Sequence, residues 1–234
     1  MPNESNATIQ APKRRGRRSS LEPSGREALL NAALKQFAQK GFEGASLRNL
    51  AADAGVDMAL IARIFGNKAK LWESVVEQLA HQMQIETEHV KQLSMLANQS
   101  PRTALLELID AFSLISQAMP EFVVFYVQES VTPGERLDLI YHRLINPFLQ
   151  ICDPIVQAAI KNGAVAASDS RLFLQSLFAS ISIPILTLQA ECRTEVELHE
   201  RTTRLVQQVK KIYVLSECKQ VQIADKTYAV DGSS

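Results

Sequence analysis

The chain has 234 residues, 46% of them apolar and only 9 of them glycine, which is enough to bury a core and leans toward helix. Its charges cancel overall, but residues 1–75 hold 12 Lys+Arg against 7 Asp+Glu while residues 76–234 hold 13 against 18, a basic first third suited to a polyanion and an acidic remainder that would stay off it. No run of eighteen uncharged apolar residues, no N-terminal apolar signal core and no disulfide or zinc spacing among Cys152, Cys192 and Cys218 is present, so the expectation is a cytoplasmic protein with no membrane span, metal or cofactor.

Residues 1–23 read as a disordered arm whose basic run includes Arg14, Arg15, Arg17 and Arg18. Such a run is either a solvated tail or an arm that enters a DNA minor groove, where negative potential attracts guanidinium groups. Ser24 to Glu27 has capping-box form and opens a first helix through Leu29, Leu30, Ala33, Leu34 and Phe37, stopped by Gly41. A short second helix follows Ser46 and ends at Gly55; a third is capped by Asp57 and carries Ile61, Ile64 and Phe65. After Gly66-Asn67 one long helix is expected from Lys68 to about Ala97. Ser100-Pro101 opens a helix to about Met119 and Pro120 another to about Val131, before a turn at Thr132-Pro133-Gly134. The segment from Glu135 to Asn162 should be kinked or split at Pro147 and Pro154. The last helices are Asp169–Ala190 and Thr194–Leu215, with a weakly alternating tail over 217–234 that reads as a hairpin or loose chain.

Residues 47–66 have helix-turn-helix spacing. Ala51 is small where the helices cross, Gly55 tolerates positive φ four residues later, and Leu50, Ala54, Val56, Ile61 and Ile64 stand where the two helices lock. That leaves Asp57, Met58, Ala59, Leu60, Ala62 and Arg63 facing outward, as a groove-reading helix requires. A second reading has some of these apolar residues packed inside, with Arg63 alone reading bases.

The run Gly41-Phe42-Glu43-Gly44-Ala45-Ser46-Leu47-Arg48-Asn49-Leu50-Ala51-Ala52-Asp53-Ala54-Gly55-Val56, followed by Ile61, Phe65, Lys68 and Leu71, resembles the N-terminal signature of TetR-family transcriptional regulators over residues 24–75. The resemblance implies an all-α fold: a three-helix DNA-binding domain at 24–75 and a larger helical bundle at 76–216 for dimerisation and ligand binding. It implies that Ser46 binds phosphate, that Arg48 approaches a base or phosphate, and that Lys68 pairs with phosphate at the start of the fourth helix. The partners it implies are a palindromic double-stranded operator, a second copy of the chain and a small hydrophobic effector, with repression as the family habit. Ala62 and Ile64 depart from the tyrosine and histidine usual in the family, leaving an unusually apolar reading surface.

Past residue 76, aromatic residues exceed what helix pairing needs. Phe112, Phe122, Phe125, Tyr126 and Phe148, with Gln128, His142 and Gln175 as polar groups, are candidates to line an effector cavity; Glu129 and Arg143 are further polar candidates. Phe173, Leu177, Ile181, Leu205, Val209 and Ile212 on the last two helices are candidates for the dimer interface. Two rival readings stand beside this one. An enzyme is disfavoured by the absence of a nucleophile elbow, a phosphate-binding glycine loop and a His-Glu-x-x-His motif, and by scattered histidines. A regulator that takes no ligand, or one whose main partner is another protein, is not separable from sequence.

Overall fold

The computed structural model describes residues 25–215. The basic arm with Arg14, Arg15, Arg17 and Arg18, the Ser24 cap, Cys218 and the alternating tail lie outside the described residues. All regular elements among the described residues are helical, so the all-α expectation holds.

The first four helices follow from local signals. Helix α1 (Gly25–Gly44) buries Leu29, Leu30, Ala33, Leu34 and Phe37 at helical spacing; Gly41, at φ 67° and ψ 175°, interrupts it as expected, and one further turn reaches Gly44. Helices α2 (Leu47–Asp53), α3 (Met58–Phe65) and α4 (Lys68–Glu86) start on Ser46, Asp57 and Asn67, whose side chains accept the backbone amides of Asn49, Ala59 and Lys70. The turn between α2 and α3 is closed by Val56 N–H to the Ala51 carbonyl and Gly55 N–H to the Ala52 carbonyl, the paired bonds of a Schellman end. Gly55 supplies the φ of 64° that this geometry needs.

Three expectations change. The single long helix from Lys68 is two, α4 and α5 (Glu88–Gln99), parted at Thr87. That residue is buried, and its hydroxyl donates to the Met83 carbonyl at 2.7 Å, a backbone-directed bond that competes with straight continuation. Helices α6 (Pro101–Ala118) and α7 (Pro120–Ser130) each begin on proline and meet at 90°, but Ser100 makes no side-chain cap bond. The segment after Gly134 is α8 (Glu135–Ile140), a π-helical turn (Tyr141–Ile145) and α9 (Asn146–Lys161). Pro147 has no N–H to give, and the Asn146 amide reaches back five residues to the Tyr141 carbonyl, so the helix widens there instead of splitting. Pro154 lies exposed and α9 runs on through it.

Helices α10 (Ser170–Glu191) and α11 (Glu195–Tyr213) are capped by Asp169 and Thr194. By length and composition α10 is apolar enough to cross a membrane. Its Phe173, Leu174, Leu177, Ile181 and Ile185 are nonetheless buried against the body. Helix α1 packs on α4 and α7, while α5, α6, α9 and α10 form the body, with α11 against α6 and α10. Lys210 reaches Asp110 at 2.6 Å and the Tyr213 hydroxyl meets Ser180 at 2.7 Å, fastening α11. Where the two ends meet, the buried Trp72 contacts Phe42 and Phe125 at ring-centroid distances of 6.4 and 5.7 Å.

Candidate nucleic-acid interface and interior cavity

At the basic end, polar pins hold α2 in place. The buried Gln36 of α1 accepts the Ser46 amide on its Oε1 at 3.0 Å and donates from Nε2 to Asp53 at 3.2 Å. One side chain thus holds both ends of α2. Ser46 Oγ accepts from the Asn49 amide at 3.1 Å, which leaves its O–H free to donate outward. Opposite, Ile61 and Phe65 of α3 are buried with Leu50 and Ala51 of α2. Ile64, expected in that seam, is 38% exposed; it lies at the edge of the stripe centred on Ile61 and Phe65.

The outward face carries Met58, 51% exposed, with Ala59, Ala62 and Arg63 exposed and Leu60 half-buried. Asp57 is spent as a cap, its Oδ1 accepting from Ala59 N–H at 2.8 Å. Arg48 and Arg63 are exposed and neither guanidinium has a hydrogen bond or ion pair within the described residues. The exposed side-chain amide of Asn49 is equally unengaged, a candidate base-reading group that sequence reasoning passed over.

Lys68 does not face outward. Its Nζ donates to the carbonyls of Phe42 at 2.9 Å, Ala45 at 3.3 Å and Glu43 at 3.5 Å, and it stands 4.5 Å from the Phe42 ring centroid. All three ammonium donors are directed at the end of α1, so the expected phosphate role is corrected: this lysine satisfies carbonyls that would otherwise be orphaned. Exposed Lys70, which also pairs with Glu73 at 2.6 Å, and the open amides at the start of α4 are left to meet an anion. Arg136 of α8 stacks on the same Phe42 ring at 4.4 Å and pairs with the buried carboxylate of Glu129 at 3.0 Å.

A cavity of about 320 Å³ lies inside the body. Of the sequence candidates, Phe112, Phe122, Tyr126, Phe148 and Gln175 line it, whereas Phe125, Gln128 and His142 do not. Phe125 is fully buried on the other side of α7 against Trp72. Gln128 is exposed, with its amide close to the Gly41 backbone, and His142 is exposed beside Tyr141. Glu129 and Arg143 also lie elsewhere, each in an ion pair. Phe178, Tyr141 and a buried Ser116–Ser182 pair complete the polar and aromatic wall. Ser116 donates to the Phe112 carbonyl at 2.6 Å and lies 2.7 Å from Ser182 Oγ. The Ser116 proton being spent, Ser182 is the donor within the pair, and its oxygen lone pairs are acceptors for a guest. Among the described residues, no ionisable acid or base other than tyrosine lines this space.

Of the residues expected at a dimer interface, Phe173, Leu177, Ile181 and Val209 are buried within this protomer, so they are corrected to core. Leu205 is half-buried and Ile212 is 63% exposed. The exposed stripe of α10 is instead Leu172, Ser176, Ala179 and Ile183, three or four residues apart. The Cys152 thiol, buried in α9, is pushed up by desolvation, with the neighbouring Asp153 charge adding to the shift.

Residues 29–75 match the family model for the N-terminal domain of bacterial regulatory proteins of the tetR family. The chain is 28% identical over 167 residues to the HTH-type transcriptional regulator BetI of Agrobacterium fabrum, covering 67% of this chain and 79% of that protein. Its fold is similar to the crystal structure of HlyIIR, a hemolysin II transcriptional regulator, at a TM-score of 0.60 and 22% identity, over 82% of this chain and 98% of that one. It is also similar to AibR in complex with isovaleryl coenzyme A and operator DNA, at a TM-score of 0.59 and 16% identity, over 78% and 98%.

Proposed function

We propose that the chain, a DNA-binding transcriptional regulator of the TetR family, acts in the cytoplasm as a homodimeric repressor whose hold on a palindromic operator is modulated by a small uncharged effector in the body cavity. The observation that carries the reading is the pairing of two features in one protomer: unengaged Arg48, Asn49 and Arg63 on α2 and α3, and an apolar cavity whose wall includes α7, the helix packed on α1.

Helix α7 turns Phe122, Val123 and Tyr126 to the cavity. Its Phe125 and Glu129 go the other way, to Trp72 and to the Arg136 that stacks on Phe42. A guest that moves α7 therefore acts on the carbonyl end of α1 and the start of α4, which set the tilt of the reading helices. Recognition helices of a two-fold dimer must stand about 34–36 Å apart, or a multiple, to reach successive grooves. A small change of tilt spoils that spacing. The exposed stripe of α10, with Ile212 of α11, is the surface assigned to pairing.

The cavity also limits the guest. An engineered cavity of about 150 Å³ takes benzene, so one of about 320 Å³ admits on the order of a dozen non-hydrogen atoms. With no countercharge in the wall, an ionised guest would be desolvated without repayment. A neutral aromatic or branched molecule with one donor for Ser182 Oγ fits these constraints.

Selection of duplexes from a random pool by the full chain tests the DNA half, and a two-fold symmetric site is the expected product. Failure to retain any duplex at low ionic strength would refute it. Thermal-shift measurements with neutral and charged aromatic compounds test the effector half, because a native-state ligand raises the melting temperature by mass action. Neutral compounds should do so and release DNA, and Ser182→Phe, which fills the cavity, should bind DNA without responding.

A further inference from the structure

Resting on the assignment of α3 as the groove-reading helix, we propose that this regulator reads its operator chiefly through thymine 5-methyl groups, pressed against the alanine face of α3. Helix α3 is Met58-Ala59-Leu60-Ile61-Ala62-Arg63-Ile64-Phe65. With Ile61 and Phe65 buried, helical spacing puts Ala59 and Arg63 at the centre of the outer face, with exposed Ala62 on one flank, Leu60 and Ile64 on the other, and Met58 at the N-terminal end.

No amide or hydroxyl side chain lies anywhere on this helix. The bidentate bonds by which asparagine or glutamine picks adenine cannot come from it, and guanine can be read only by Arg63. Asp57 is held as a cap. Beside Arg63, what the outer face offers is the two exposed methyl groups of Ala59 and Ala62 on a slim backbone.

Thymine carries the one apolar group among the base edges of the major groove. Against Ala59 or Ala62, a thymine methyl loses water it binds poorly and gains packing. A donor or acceptor edge of another base pressed into the same place loses hydrogen bonds to water with nothing in return. Discrimination then arises from penalising polar edges as much as from favouring methyls. Arg63, next to the alanines, and the α2 pair Arg48 and Asn49 supply the polar contacts of the half-site. The exposure of Met58 and Ile64, costly on a free surface, has the same explanation: both flank the methyl-lined strip and extend it.

The decisive experiment replaces thymidine by deoxyuridine, which deletes only the methyl, one position at a time in the duplex selected by the full chain. At two or more thymines in each half-site, binding should weaken by about fourfold per methyl, the equivalent of one buried methylene, and elsewhere stay unchanged. Ala62→Ser or Ala59→Ser, exposed and harmless to folding, should bring the thymine-to-uracil ratio toward one at a single position. Arg48→Ala should weaken both forms alike and keep the ratio. Equal affinity for thymine and uracil at every position overturns the inference while leaving DNA binding intact, and so does a ratio that Ala62→Ser and Ala59→Ser leave untouched. Retention of no duplex at all removes both the inference and the reading beneath it.

Discussion

Around α2 and α3 the geometry is set by polar side chains with single, directed partners, whereas around the cavity it is set by apolar side chains that touch many neighbours and leave a gap. Gln36 fixes both ends of α2, Lys68 closes the end of α1, and Ser46, Asp57 and Asn67 each start a helix. In the body, Phe112, Phe122, Phe148 and Phe178 surround empty space, and the helix between α8 and α9 relaxes into a π turn at the cavity wall. Directed bonds have sharp optima and resist drift. Ring packing beside a void offers several arrangements of similar energy. The contrast is that of a stiff reading head on a body able to change shape, and it can be broken or sharpened at named residues.

Trp72 is where the two regions meet, so its loss should cost most. Trp72→Ala is expected to destabilise by about 3–5 kcal/mol, read by circular dichroism in urea; two separate transitions in place of one would mean that the head and body were joined chiefly by this ring. Lys68→Met keeps the stem on Phe42 but abandons the carbonyls, for a loss of about 1.5–3 kcal/mol. Its DNA affinity should fall without a change in salt slope, and a slope reduced by one phosphate contact would return Lys68 to the DNA backbone. Gly55→Ala forces a side chain into left-handed backbone at an expected cost of about 1–2 kcal/mol, measured as a shift in the urea midpoint.

The body has a milder, pH-dependent weakness. The Cys152 thiol keeps its proton in the fold above its ordinary value of 9.0. The unfolded chain releases that proton as pH passes 9 while the native state retains it, so stability is full below that pH and falls above it, by at most about 1.4 kcal/mol per unit. Cys152→Ala should remove this component of the slope in denaturation curves taken between pH 8 and 10. Smallest of all is Arg48→Ala, expected to change stability by less than about 0.5 kcal/mol yet to lower the salt dependence of DNA binding by about one phosphate. An unchanged salt slope would remove Arg48 from the DNA face.

Sequence was most informative where a residue's role is decided by its immediate neighbours. The Asp57 cap, the helix starts after Ser46 and Asn67, the stop at Gly41 and the positive φ of Gly55 are local chemistry, and all were read in place. Lys68 was misread because the carbonyls it serves are 23 to 26 residues upstream, and nothing in the local pattern reveals them. Gln36 escaped notice for the same reason. In the body, α7 is apolar on most of its circumference, so periodicity could not say that Phe122 and Tyr126 face the cavity while Phe125 faces Trp72. Thr87 resembled any mid-helix threonine until burial turned its hydroxyl back on Met83. The last two helices were located well, but of the residues expected to pair, Phe173, Leu177, Ile181 and Val209 are buried within the protomer itself, while Leu205 and Ile212 are not.

The indole at the seam has one more consequence. The chain contains a single tryptophan, and Trp72 is buried with its Nε1–H unpartnered among the described residues, touching a ring from each side. Emission excited near 295 nm, roughly where tyrosine no longer absorbs, comes from that spot alone. The unlabelled protein therefore carries its own optical gauge: a guest that shifts α7 should alter the quantum yield or colour of this one fluorophore before any DNA is added.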